Sequence, residues 1–410
     1  MDDMGYGDLE CYGHPSIRTP HLNQMAANGI RFTSFYAPAS ICTPSRAGIL
    51  TGRYPVRNAP YNFGPESENG LPLSEITIAE VLKGAGYRTS AIGKWHLGHR
   101  NPYLPTSRGF DSFYGLPYSN DMILPWCPWL SDEDKLHLYQ DSTIVKEIGK
   151  EQDNLTLDYT KQALDFIQTK SDQPFFLYLA HSMPHLPISI SEKFVGTSAA
   201  GLYGDVIETV DWSIGEIFTT LREQGIEENT LVIFTSDNGP WHNLPDRMTQ
   251  DGVEHWHTGS SGMLRGAKAT TYEGGFRVPG IISWKGHIAP GQVNREIVTA
   301  LDIFPTLIEL CGAQLPTDRK IDGISILPLL KSEAPSPRNT FMYSQLKSIE
   351  GIRKGDWKLR YTAEDSLQLF NLMIDPSEMY NRVAEKPELV DSLLQEMRTF
   401  AQETEAEIMQ

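Results

Sequence analysis

Leu231-Val232-Ile233-Phe234-Thr235-Ser236-Asp237-Asn238-Gly239 is a strand-length apolar run that breaks into polar residues at its carboxyl end. Upstream of it, Val206, Val210, Ile214, Ile217 and Leu221 recur at intervals of four, four, three and four, one face of an amphipathic helix that Gly225 stops. A helix feeding a buried strand is the unit of a parallel sheet covered on both faces. The unit occurs twice more. A helix expected over 158–169 precedes Phe175-Phe176-Leu177-Tyr178-Leu179-Ala180, and a helix capped by Ser74 and running to about Lys83 precedes a strand from Thr89 to Ile92. Val278 to Trp284 reads as a further strand and Asp302 to Leu310 as a helix, with Pro305 in its first turn, where the missing N–H is tolerated. The fold class is therefore α/β, a large mixed, mostly parallel sheet sandwiched by helices.

Pro316 to Pro337 is richer in Pro and Ser and reads as a linker or crossover. Beyond it, Gly351 to Tyr361 and Leu367 to Leu372 read as short antiparallel strands and Pro387 to about Gln402 as a closing helix. The expected division is a catalytic domain over 1–330 and a small α+β subdomain over 331–410, an antiparallel sheet packed by the terminal helix.

The chain has 410 residues, 40% hydrophobic and 21% charged, ample for a large core and unlike a disordered composition. Its apolar runs fall well short of the roughly 20 residues that span a bilayer. With 35 Lys and Arg against 52 Asp and Glu, the formal charge is −17, which argues against a nucleic-acid-binding face. An acidic chain that handles an anion must gather its positive groups locally. Cys11, Cys42, Cys127 and Cys311 form no CxxC pair, so neither a zinc ribbon nor a disulfide framework is indicated, and no secretion signal is visible at Met1-Asp2-Asp3.

Polar residues follow each of the three strands: Lys94 and His96, then His181 and His185, then Asp237 and Asn238. Ligands of open α/β sheets bind beyond the carboxyl ends of the strands, so the three sets can converge. Asp2-Asp3 and Asp237-Asn238 are hard oxygen donors that suit Ca²⁺ or Mg²⁺ better than zinc. Bland readings of the same residues are an acidic terminus and an Asn-Gly turn.

Cys42-Thr43-Pro44-Ser45-Arg46 leaves three residues between Cys and Arg, too few for a cysteine-phosphatase loop whose amides wrap an anion. The segment continues Ala47-Gly48-Ile49-Leu50-Thr51-Gly52-Arg53 and resembles the signature of the formylglycine-dependent sulfatases, a branch of the alkaline-phosphatase superfamily. The resemblance extends through Asp2-Asp3-Met4-Gly5-Tyr6-Gly7-Asp8, Gly93-Lys94-Trp95-His96-Leu97-Gly98, His185-Leu186-Pro187, Thr235-Ser236-Asp237-Asn238-Gly239 and Leu264 to Gly275. Gly355-Asp356-Trp357-Lys358-Leu359 and Leu369-Phe370-Asn371-Leu372 look like that family's small terminal sheet.

The resemblance implies hydrolysis of sulfate monoesters, most simply on a sulfated carbohydrate or another small alcohol or aryl scaffold. It implies that a formylglycine-generating enzyme or maturase oxidises Cys42 to formylglycine (3-oxoalanine). One oxygen of the hydrate would attack sulfur to give a sulfoenzyme, and loss of the second hydroxyl's proton would eject sulfate. Asp2, Asp3, Asp237 and Asn238, with the residue at Cys42, would hold Ca²⁺, Mg²⁺ being the alternative. Arg46 would neutralise and orient the diol. Lys94, Lys268 and His185 would grip the sulfate, Lys268 or His185 protonating the leaving alcohol, and His96 would take the proton from the second hydroxyl. Ser119 would support the active-site histidine. His242, His255, Trp256 and His257 lie between the metal ligands and Lys268, a position that suits either a wall of the substrate pocket or a mobile surface loop.

In that family a buried apolar strand runs into the Asp-Asp pair. Here the chain starts at Met1, so an upstream start with a signal peptide and that strand is expected, along with periplasmic or secreted residence. Two other readings stay open: a phosphodiesterase or phosphonate monoester hydrolase of the same superfamily, and a non-catalytic, Ca²⁺-dependent binder of sulfated glycans.

Overall fold

A computed structural model describes residues 1–408. The helix–strand units fall where the periodicity places them. Gly201–Glu223 is one long helix, and Val206, Val210, Ile214, Ile217 and Leu221 are all buried. The other two units comprise Leu155–Gln168 followed by Phe175–Ala180, and Ile78–Gly84 followed by Arg88–Gly93. The last helix starts later than Ser74 suggests, because Thr77 and Glu80 close a reciprocal capping box: Thr77 Oγ1 accepts from the Glu80 N–H at 3.2 Å while Glu80 accepts from the Thr77 N–H at 2.6 Å.

The main sheet comes in two pieces. Five strands lie in the spatial order Thr143–Glu147, His137–Gln140, Ser112–Gly115, Arg88–Gly93 and Phe175–Ala180, the last three parallel. Four more follow the order Gln292–Asn294, Ile30–Phe32, Gly280–Ser283 and Val232–Thr235, with Gly280–Ser283 antiparallel to both neighbours. Helices cover both faces of the four-stranded piece. Ile281 and Phe234 pack with Ile207, Val210 and Leu221, whereas Ile282 and Ile30 pack with Ile303, Phe304 and Ile308.

Phe175–Ala180 and Val232–Thr235 are the facing edges of the two pieces. Between them runs a slot of about 1000 Å³, lined by both strands and by Ile49, Leu82, Ile214, Leu221 and Leu307. Met1 stands at its mouth in ladder register with the second edge. Its ammonium donates to Thr235 O at 2.8 Å, and the Asp237 N–H donates to Met1 O at 3.0 Å, the two bonds of a parallel pair.

The C-terminal sheet has four antiparallel strands, Thr340–Gln345, Ser348–Lys354, Trp357–Arg360 and Gln368–Asn371, against which Pro387–Thr404 packs. Thr340–Gln345 was not anticipated, and a turn at Gly355 (φ 57°) divides the expected 351–361 strand into two. A short helix, Leu327–Leu330, interrupts the expected linker. The sheet docks through buried charge. Lys358 Nζ lies 3.1 Å from Glu273 Oε1 and 2.8 Å from Glu378 Oε1, and Glu273 also accepts from Tyr36 and Tyr343, both at 2.6 Å. Burial alone would raise the Glu273 carboxyl, but Lys358, Arg277 and Arg353 bring it down to about 2.

Replacing Lys358 with Met takes the shared ammonium from two buried carboxylates, Glu273 and Glu378, and should lower the unfolding free energy by about 3–5 kcal/mol in a denaturant titration, the cost of breaking a buried ion pair from one side.

Candidate active site

Cys42 opens the buried helix Cys42–Thr51, with Pro44 in the first turn. Arg46 is four residues on and shares its face. The Asp237 side chain lies just beyond Val232–Thr235, and Lys94 and His96 just beyond Arg88–Gly93. Gly93 makes the second placement work. Its φ is 104°, and a Cβ there would lie 2.0 Å from Ala180 O, so only glycine lets Lys94 N reach that carbonyl at 2.7 Å. Asp3, His96 and Ala269, none of them glycine, hold φ values of 60°, 61° and 64°. Such backbone costs roughly 1–3 kcal/mol per residue and collects where surrounding structure fixes a functional geometry.

Seven side chains close a ring of contacts. Cys42 Sγ lies 3.5 Å from Asp2 Oδ1 and 4.0 Å from Asp3 Oδ1. Lys94 Nζ pairs with Asp2 at 2.6 Å and donates to Ser119 Oγ at 3.1 Å. Ser119 Oγ is 3.3 Å from His185 Nε2, which is 3.0 Å from Lys268 Nζ, and Lys268 pairs with Asp3 at 2.8 Å. Asn238 Nδ2 donates to Asp3 Oδ1 at 2.7 Å, which ties the third strand end to the ring. Arg46 completes the join: Nη2 lies 2.8 Å from Asp237 and 3.6 Å from Asp2, and Nη1 donates to Lys94 O at 2.6 Å. Every one of these side chains is buried except Lys268, which is partly open.

Charge is matched one for one, with Asp2, Asp3 and Asp237 facing Arg46, Lys94 and Lys268. Burial would raise the Asp2 carboxyl, but Lys94, His185 and Arg46 hold it well below the usual range. For Asp237, burial and then Asp2 push upward against Arg46. Burial pushes the Cys42 thiol far up, so unmodified it stays protonated and a poor nucleophile. His185 Nδ1 is 2.6 Å from Leu186 O, a carbonyl that can only accept, so Nδ1 carries the proton and Nε2 receives from Lys268 in the neutral ring. Burial and then Lys268 lower the His185 pKa, and burial, then Lys94, lower that of His96 still further.

The structure thus brings together Asp2, Asp3, Cys42, Arg46, Lys94, Ser119, His185, Asp237, Asn238 and Lys268. His96 is tethered beside them by its backbone, His96 O accepting from Thr43 Oγ1 at 2.8 Å, and both its buried ring nitrogens lack hydrogen-bond partners among the described residues. His181 turns away, 3.2 Å from Ser213 Oγ on the Gly201–Glu223 helix. His242 hydrogen-bonds Gly259 O, and Trp256 is exposed. Trp241 went unread in the sequence. Its ring lies 5.8 Å from that of His185, and Lys268 Nζ stands 4.6 Å from its centroid; its place directly after Asp237-Asn238-Gly239-Pro240 was the available signal.

A family model described as Sulfatase matches residues 1–313, and another, N-sulphoglucosamine sulphohydrolase, C-terminal, matches residues 266–405. The chain belongs to the sulfatase family. Arylsulfatase A of Bos taurus is 38% identical, the match covering 97% of this chain and 85% of that protein. N-acetylgalactosamine-6-sulfatase of Rattus norvegicus is 40% identical, covering 92% and 73%. A solved chain described under metabolism of multiple glycosaminoglycans by Bacteroides thetaiotaomicron superposes with a TM-score of 0.85 at 28% identity, covering 97% of both chains. A phosphonate monoester hydrolase of Agrobacterium radiobacter shares the fold, with a TM-score of 0.67 at 20% identity over 98% of this chain and 94% of that one. This sulfatase is a sulfuric ester hydrolase, as the resemblance implied.

The ring sets a stability expectation of its own. Replacing Lys94 with Met leaves Asp2 short of its nearest cation inside the protein, and unfolding in urea should come about 3–5 kcal/mol earlier.

Proposed function

We propose that this sulfatase hydrolyses sulfate monoesters of carbohydrates, with Cys42 converted to formylglycine by a formylglycine-generating or maturase enzyme and a divalent cation, Ca²⁺ in preference to Mg²⁺, held by Asp2, Asp3, Asp237 and Asn238 beside residue 42. The closed ring of Asp2, Lys94, Ser119, His185, Lys268, Asp3 and Cys42 carries this reading. The donor set fits a hard cation, being all oxygen on the acidic side, and the Asn238 side-chain oxygen is buried with no hydrogen-bond partner among the described residues. Three carboxylates balanced by three cations leave no net charge for an anion, and a divalent ion supplies the positive excess that a −17 chain needs there. When in place, the cation acts as Lewis acid and the formylglycine hydrate supplies the nucleophilic oxygen.

The chain's own residues do the rest. Lys94 and Lys268 grip the sulfate oxygens as preorganised charge. Lys268 protonates the leaving alcohol, because His185 in its Nδ1–H form has no proton to give from Nε2 and instead accepts from Lys268. Ser119 spaces Lys94 from His185, and Arg46 fixes Asp237 and Asp2. His96, neutral with both ring nitrogens unpaired among the described residues, is the base that receives a proton in the second half of the reaction. A catalytic unit over 1–330 with a C-terminal unit over 331–410 is part of the same reading, as is periplasmic or secreted residence; among the described residues no helix is long and apolar enough to cross a membrane.

The test combines mass and activity. Coexpression with a formylglycine-generating enzyme is expected to lower the mass of the tryptic peptide carrying Cys42 by about 18 Da, and the converted protein is expected to release sulfate from sulfated sugars. Lys268→Ala should then reduce kcat by about 10²–10³-fold. Turnover of phosphate diesters in preference to sulfate monoesters would move the reading to the phosphonate monoester hydrolase type, and glycan binding without sulfate release would make the protein a binder.

A further inference from the structure

The leaving oxygen of the substrate must lie beside Lys268 if that ammonium protonates it, so the ring that carries the oxygen must lie against whatever walls the Lys268–His185 side of the site. Trp241 does. Its indole stands 5.8 Å from the His185 ring, with Lys268 Nζ 4.6 Å from its centroid. The wall continues outward. The Arg247 guanidinium is 5.7 Å from the Trp241 centroid and 5.1 Å from that of Trp129, which is 62% exposed. Arg247 is already committed: it pairs with Asp121 at 3.7 Å, and its Nη1 donates to Trp126 O. It therefore bridges the two indoles, within cation–π distance of both.

The half-buried Trp241 flanks the charged ring, and the exposed Trp129 lies across Arg247 from it, an arrangement of aromatic faces near polar groups that suits a ligand-binding surface. A pyranose ring fits it chemically. One face of the ring presents C–H groups that pack on the indole, while the hydroxyls at its rim keep their hydrogen bonds to water. We propose that Trp241 and Trp129, bridged by Arg247, form a binding strip for consecutive sugar rings, the sulfated ring on Trp241 and its neighbour on Trp129, so that the enzyme selects a sulfated oligosaccharide over a small aryl sulfate. This deepens the sulfatase reading above and rests on it.

The test compares converted parent, Trp129→Ala, Trp129→Phe and Trp241→Ala proteins. The probes are 4-nitrophenyl sulfate, N-acetylgalactosamine 6-sulfate, a 6-sulfated galactosamine-containing tetrasaccharide and a sulfated galactan hexasaccharide. Trp129→Ala should lower kcat/KM for the preferred oligosaccharide, relative to the aryl ester, by about tenfold or more, mainly through KM. Trp129→Phe should recover most of the loss, and Trp241→Ala should weaken the monosaccharide as well. Calorimetric titration with the same oligosaccharides gives a readout independent of turnover. Sulfate release with an unchanged ratio in Trp129→Ala would overturn the strip and leave the hydrolase reading standing. Oligosaccharide binding that is lost in Trp129→Ala, in a protein that releases no sulfate from any ester, would keep the strip and overturn the hydrolase reading.

Discussion

Three carboxylates and three cations gathered around a single buried thiol set the terms for the rest of this molecule. Asp2, Asp3 and Asp237 would each be costly to bury alone, and so would Arg46, Lys94 and Lys268. They are tolerated together because each lies within ion-pair distance of an opposite charge. Such a cluster demands positions from distant parts of the chain, and the sheet supplies them: strand ends at Lys94 and Asp237, the helix that begins at Cys42, and the loop bearing Lys268. The left-handed backbone at Asp3, His96 and Ala269 marks where that demand outweighs local conformational preference.

The C-terminal sheet belongs to the same arrangement. Glu273 lies five residues beyond Lys268 and is fixed from the far side by Lys358, Tyr343 and Tyr36. Its N–H donates to Glu378 Oε2 at 2.7 Å, so the base of the Lys268 loop is held by the C-terminal segment that follows the sheet as well as by the sheet's Lys358 and Tyr343. A second buried ion cluster thus supports the first.

Much of this could be read from residues alone. Periodicity located the helix Gly201–Glu223, which is long and buries one regular face, and an unbroken apolar run located the strand Phe175–Ala180. The meeting of Lys94, His185, Asp237 and Asn238 was legible because polar residues follow apolar runs at equivalent strand ends, whereas Cys42, Arg46 and Lys268 were singled out by the family resemblance alone. Less came through where tertiary contacts decide. Thr77 displaced Ser74 as the cap through reciprocal bonds with Glu80, and Thr340–Gln345 packs too much of its length inside to show a polar alternation. The split of the main sheet at Phe175–Ala180 and Val232–Thr235 has no local sequence signature. Nor does Ser119's bridge between Lys94 and His185 or Trp241's seat against Lys268, since both depend on loops brought together by the fold.

Metal content measures most directly whether the acidic side of the ring is a cation site. Protein stripped with chelator, dialysed and titrated with Ca²⁺ in a calorimeter should bind one ion per chain, and Asp2→Asn and Asn238→Ala should each weaken that binding severalfold or abolish it. A parent protein that takes up no divalent cation and still releases sulfate from an ester would contradict the account, because the three carboxylates would then serve only to balance Arg46, Lys94 and Lys268.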